Sequence, residues 1–188
     1  MNELEGRSLS DKKLLGDDRR AYLLKLLQES KSPITGGDLA KETNVSRQVI
    51  VNDITLLKAK KEPIIATSQG YIYMETHAEK ALPEKIIACV HRPEETEKEL
   101  NLLVDHGVTV KDVKVEHPVY GDLTASIMVS NRKEVKQFID KIKSTQASYL
   151  SVLTGGIHLH TIAASSEDTL QEAIHSLKEA GFLFGEND

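Results

Sequence analysis

The chain has a single cysteine, Cys89, among its 188 residues. One thiol excludes an intramolecular disulfide framework and a thiolate-cluster metal site, and it fits a reducing compartment. No apolar run is long enough to span a bilayer, and no basic-then-apolar leader opens the chain, so a soluble, cytoplasmic protein with no membrane partner is expected. A metalloprotease helix motif, a nucleophile elbow and a phosphate-cradling glycine loop are missing too, which weighs against the commonest hydrolase chemistries. Internal repeats and low-complexity tracts are absent. What the chain does have is 39% hydrophobic content, enough to bury one core or two small ones.

The net charge of -5 is unevenly spread. Residues 1–62 carry 12 Lys/Arg against 10 Asp/Glu, and the remainder carries 12 against 19. A polyanionic partner would therefore meet the N-terminal part.

Residues 1–16 read as a polar arm. A helix then begins near Asp17-Asp18, with Tyr22, Leu23, Leu26 and Leu27 as its apolar stripe, and Pro33 ends the run. Thr35 is an N-cap for a short helix through Leu39, Ala40 and Glu42. Asn44-Val45 turns, and Ser46 caps a third helix to about Lys61. At ~100° per residue, Val49, Ile50, Ile54 and Leu57 share one face of that helix. Arg47, Gln48, Val51, Asn52 and Thr55 gather on the other. Arg, Gln and Asn can bond base edges bidentately, and Val or Thr can touch a thymine methyl, as a recognition helix does in the major groove. Asp53 falls on the buried side, where a structural pairing with Arg19 or Arg20 is expected. Two β-prone runs, Ile64–Thr67 and Tyr71–Met74, flank Ser68-Gln69-Gly70 as a hairpin, so residues 17–75 read as a winged helix-turn-helix. The alternative is a small structural bundle with a polar helix face.

Residues 76–84 form an interdomain crossing, and residues 85–188 a second domain. Strands are expected at Ile86–Cys89, Val108–Glu116, Leu123–Val129 and His158–Ala164, and helices at Pro93–His106, Arg132–Ile142 and Glu167–Ala180. The fold class is α+β: a winged helix-turn-helix followed by a two-layer α/β sandwich with helices over one sheet face.

Within that second domain, Gly155-Gly156-Ile157-His158-Leu159-His160 puts both histidines on one strand face, where they can grip one metal ion. His77 is the natural third ligand, with a carboxylate from Glu84 or Glu79. Three imidazoles and a carboxylate suit nickel, zinc, iron or manganese and leave positions free for a ligand. His91, His106 and His175 read as surface or capping residues. His117, before Pro118 in a turn, is a candidate pocket wall with Tyr120.

The Ser46-Arg47-Gln48 helix start, the wing Ile64-Ile65-Ala66-Thr67, His117-Pro118-Val119-Tyr120-Gly121 and Gly156-Ile157-His158-Leu159-His160 come in an order that resembles the 3H-domain transcriptional repressors. These are nicotinate-responsive regulators of NAD biosynthesis and niacin uptake. The resemblance covers residues 15–184. It implies a homodimer whose winged helix binds operator double-stranded DNA and whose C-terminal domain holds a divalent metal and nicotinic acid as co-repressor. It also implies His77, His158 and His160 as metal ligands, with Glu84 as the acidic one and Glu79 as its substitute. Two rival readings are a metal-dependent hydrolase fused to a DNA-binding module, with Glu79, Glu116 or Asp122 as base, and a regulator that senses metal alone.

Overall fold

The computed structural model describes residues 14–74 and 82–185. The chain divides into two compact units, residues 1–77 and 78–188.

In the first unit α1 (Gly16–Glu29), α2 (Gly36–Glu42) and α3 (Arg47–Ala59) precede a two-stranded antiparallel wing of β1 (Ile64–Ala66) and β2 (Tyr71–Tyr73). The capping residues read from the sequence are in place. Thr35 Oγ1 accepts from the Asp38 amide and Ser46 Oγ from the Val49 amide, each satisfying an otherwise orphaned helix donor. Leu23, Leu27, Leu39, Ile50, Ile54, Leu57 and Ile64 close over one another as the core. Each such side chain contributes roughly 1.5–3 kcal/mol by leaving water. The wing is latched to the segment ahead of α2. Ile34 and Tyr71 exchange backbone hydrogen bonds, and Gly70, at φ 148°, passes so close to Ile34 that any Cβ would strike its carbonyl.

The second unit is one four-stranded antiparallel sheet in the order β3-β6-β4-β5, formed by β3 (Glu84–Val90), β6 (Ile157–Ala163), β4 (Thr109–His117) and β5 (Gly121–Val129). Helices α4 (Thr96–Asp105), α5 (Arg132–Thr145) and α6 (Glu167–Glu179) lie over one face. Their apolar stripes meet Ile87, Cys89, Val110, Ile127, Val129 and Ile162 in a continuous core. Two short 3₁₀ turns, Pro93–Glu95 before α4 and Leu150–Thr154 before β6, complete the unit. Phe182–Phe184 runs along the outer edge of β3, with the Val90 amide donating to Phe182 and the Phe184 amide to Ala88. None of the helices described is long and apolar enough to cross a membrane.

Strand β4 has an irregularity that matters for the site. Between Val110 and Lys114 its register against β6 shifts, and its register against β5 shifts between Val110 and Asp112. Such a bulge breaks the ladder locally and re-aims groups. Here it turns the Asp112 carbonyl towards His160.

Candidate functional site

The two-residue period of the strands brings four histidine and cysteine side chains to the helix-covered face of the sheet. Cys89 lies directly across from His158 and Ile87 from His160, and directly opposed residues share a face. His91 follows β3 in phase with Ile87 and Cys89. From the helix layer, α4 presents Thr96, Glu99, Leu100, Leu103 and Val104 inward, the i, i+3, i+4, i+7, i+8 stripe of an amphipathic helix. One member of that stripe is a carboxylate. Glu99 is completely buried, with His91, His158 and His160 around it, all buried too.

The distances define a cluster. His91 Nε2 is 2.8 Å from Glu99 Oε2, His160 Nε2 is 3.4 Å from the same oxygen, and His158 Nε2 is 3.5 Å from Glu99 Oε1. Each Nδ1 faces a main-chain carbonyl: Arg92 at 2.8 Å for His91, Gly156 at 2.8 Å for His158, and Asp112 at 2.6 Å for His160. A carbonyl only accepts, so each Nδ1 donates outward and each Nε2 is left facing Glu99, where His91 Nε2 donates to the carboxylate. Imidazoles oriented in this way by an outer shell are the usual arrangement around a metal.

Electrostatics point the same way. Burial pushes the Glu99 carboxyl up, but His160 foremost, then His158 and His91, hold it well below the usual carboxylate range. Burial pulls the His160 imidazole down, yet Glu99 leaves it above its ordinary value, and His91 behaves alike. Cys89 goes the other way, since burial and then Glu99 push its thiol up. The cluster therefore favours net positive charge beside Glu99. Glu99 Oε1 is buried without a hydrogen bond of ordinary geometry, with His158 Nε2 3.5 Å away.

The cluster forms the polar end of a cavity of about 190 Å³. Leu100, Val113, Ala125, Ile127, Phe138 and Ile142 give it apolar walls, and the Ser148–Ser151 segment, with Tyr149, closes one side. Thr96 Oγ1 is buried on the lining with no partner. Among the described residues no Lys or Arg lines the cavity.

Several expectations need correcting. His158 and His160 come together as expected, but Glu84 does not join them. It lies on the opposite sheet face, an odd number of residues from Cys89 along β3, and its carboxylate accepts from Lys111 Nζ at 2.6 Å. Glu99 is the carboxylate that stands among the histidines. His77 and Glu79 lie outside the described residues, and His91, read as a surface or capping residue, is the third imidazole of the cluster. His117 and Tyr120 do not line the cavity. They stand at the exposed β4–β5 turn with ring centroids 5.0 Å apart, and His117 Nδ1 accepts from the Val119 and Tyr120 amides. Glu116 and Asp122 face each other across the end of that hairpin, away from the histidines. His106 does cap α4, and His175 is exposed on α6 beside Glu179.

In the first unit α3 carries its two faces as expected. Ile50, Asp53, Ile54 and Leu57 are buried, while Arg47, Gln48, Asn52 and Thr55 are exposed and Val51 is half-exposed. Asp53 takes both expected partners, Arg19 Nε at 2.6 Å and an Arg20 guanidinium nitrogen at 3.1 Å. Gln48 Nε2 donates to Asn52 Oδ1 at 3.2 Å, so two exposed amides stand side by side one turn apart.

Two family models match the chain, a helix-turn-helix domain over residues 19–72 and the 3H domain over residues 84–186. The chain is 64% identical over 172 residues to the transcription repressor NadR of Bacillus subtilis, covering 91% of this chain and 96% of that protein. It is 39% identical over 174 residues to the probable transcription repressor NiaR of Thermotoga maritima, covering 93% of this chain and 98% of that one.

Proposed function

Because the chain belongs to the 3H-domain family of transcription repressors, we propose that it represses genes of NAD biosynthesis and niacin uptake, with nicotinic acid as co-repressor bound beside a divalent metal ion. It is a DNA-binding repressor and not an enzyme, in line with its relatives. Operator contact falls to the exposed face of α3: Gln48 and Asn52 for adenine edges, Arg47 for guanine or phosphate, and Val51 and Thr55 for thymine methyls. Thr35 and Ser46 stand at the starts of the two motif helices, where a backbone amide can meet a phosphate.

The observation that carries the metal reading is the convergence of three Nε2 atoms on the buried Glu99 carboxylate. His91, Glu99, His158 and His160 would hold the ion. When bound, it supplies a fixed positive charge at the polar end of the cavity. An anionic pyridine carboxylate needs one there, because Glu99 would repel it and the described lining holds no Lys or Arg, only imidazoles already committed to Glu99. The apolar walls then receive the ring, and Thr96 offers a hydroxyl for a polar edge of the ligand.

Nicotinic acid need not approach DNA. It need only favour the arrangement of two protomers that suits successive major-groove segments, because affinity without a difference between states shifts nothing. Ile86 and Ile157 are both exposed on the outer sheet face, and a homodimer formed through the second unit would cover them.

The test is elemental analysis of purified protein, followed by operator binding with and without nicotinic acid. Wild type should retain a metal and bind operator more tightly with nicotinic acid. The His158→Ala/His160→Ala double variant should lose both properties. An undiminished nicotinic acid response in that variant sinks the reading.

A further inference from the structure

The single cysteine takes no part in the four-residue ligand set just described, yet it stands against it. Cys89 is wholly buried on β3, directly across from His158. Its Sγ, a Glu99 oxygen and a His158 nitrogen all lie within 4.8 Å of one another. A buried cysteine that serves only for packing behaves as a small hydrophobe among apolar neighbours. Here the thiol looks onto a carboxylate and an imidazole, and Glu99 Oε1 is buried without a hydrogen bond of ordinary geometry, His158 Nε2 standing 3.5 Å away.

We propose that Cys89 is a further ligand of the metal ion, so that the centre binds through nitrogen, oxygen and sulfur together. The proposal rests on the metal reading above. As the metal–sulfur bond forms, the S–H bond breaks and the proton leaves to solvent. Sulfur changes which ion the site prefers. Imidazole and carboxylate alone accept manganese or iron, whereas a thiolate favours softer ions, with zinc, nickel or cobalt ahead of manganese.

Cobalt(II) gives a direct readout, because thiolate coordination adds a sulfur-to-cobalt charge-transfer absorption in the near ultraviolet that nitrogen and oxygen ligands do not. With one cysteine in the chain, such a band has one source. Full-length protein stripped with a chelator is titrated with cobalt(II) chloride under reducing conditions, and bound cobalt is measured by elemental analysis after desalting. The expected result is one bound cobalt per chain with the band in wild type, and loss of the band with cobalt retained in Cys89→Ser and Cys89→Ala. Wild type that binds cobalt without the band overturns the thiolate and leaves the metal reading intact. Wild type that retains no cobalt, zinc or nickel overturns both. The wild-type spectrum is decisive even if a variant folds poorly. As a second readout, zinc should outcompete manganese by a smaller factor in Cys89→Ala than in wild type, and an unchanged ratio also counts against the thiolate.

Discussion

Gly156 passes so close to His91 that a methyl group there would strike the His91 carbonyl oxygen, and its backbone holds φ 100°. This approach brings the start of β6, with His158 two residues on, beside the end of β3. Gly156→Ala should therefore push the two imidazoles apart. We expect a loss of ~1–3 kcal/mol in stability and poor metal retention, read by denaturant unfolding and elemental analysis. Gly107 is the control, since its φ of 76° is also left-handed but no atom lies within 4 Å of an added Cβ. Gly107→Ala should cost about 1 kcal/mol and leave the metal in place. If both variants kept the metal, the close approach would be irrelevant to the site.

Two carboxylates compete for the acidic role, and their surroundings differ. Glu99→Gln keeps the shape and removes the charge from a fully buried position among three imidazoles, so metal retention and the nicotinic acid response should both fall away. Glu84→Gln removes a partly exposed partner of Lys111, worth about 0–1 kcal/mol, and should leave both properties unchanged. Measuring the two variants in parallel decides the assignment. Metal loss in Glu84→Gln alone would reverse it.

Thr96 is positioned to touch a ligand without touching the metal. Thr96→Val keeps the volume and deletes the unpartnered hydroxyl on the cavity lining. Calorimetry should then show weaker nicotinic acid binding, by ~0.5–1.5 kcal/mol, at full metal occupancy. Unchanged affinity would remove Thr96 from the ligand contacts.

On α3, Asn52→Ala should relax base preference at one operator position by ~1–3 kcal/mol. Gln48→Ala should do the same at a neighbouring position. Because the two amides bond each other, the double variant should lose less than the sum of the singles. Uniform weakening across all operator sequences would move these residues to phosphate contact.

Asp53 should behave quite differently although it shares the helix. Its buried carboxylate ties α3 to Arg19 and Arg20 of α1, and Asp53→Ala leaves Arg19 buried without its partner. A cost of about 3–5 kcal/mol is expected, enough to unfold the first unit. Thermal unfolding followed by circular dichroism checks this, and a shift of a degree or less would contradict it.

The two faces of α3, the pairing of Asp53 with the arginines and the inward His158-His160 pair were all legible because each depends on a short-range period. The order of strands and helices in the second unit was legible for the same reason. The rest of the site was not, because it is assembled by packing between distant segments. Glu84 was assigned by nearness in sequence to the start of the second unit and by the family resemblance, yet β3 turns it to the wrong face; His77, assigned on the same grounds, lies outside the described residues. The signals for the actual neighbours were present. His91 is in phase with Ile87 and Cys89, and Glu99 sits on the stripe of Thr96, Leu100 and Leu103, where a charged residue needs a reason to be. The cavity was least legible, since Tyr149 and the Ser148–Ser151 segment reach it from a stretch with no clear period.

The pairing of Phe182–Phe184 along β3 also limits how two copies can join. An exposed strand edge is a template for another chain, and this segment occupies the backbone groups of β3 that face outward at Ala88 and Val90. Among the described strands that leaves β5 and the first half of β3, at Glu84 and Ile86, as open edge of the four-stranded sheet. A dimer that continued the sheet from one protomer into the next along a full-length strand edge would have to use β5. One that instead stacks side chains, around Ile86 and Ile157, leaves every ladder as it stands.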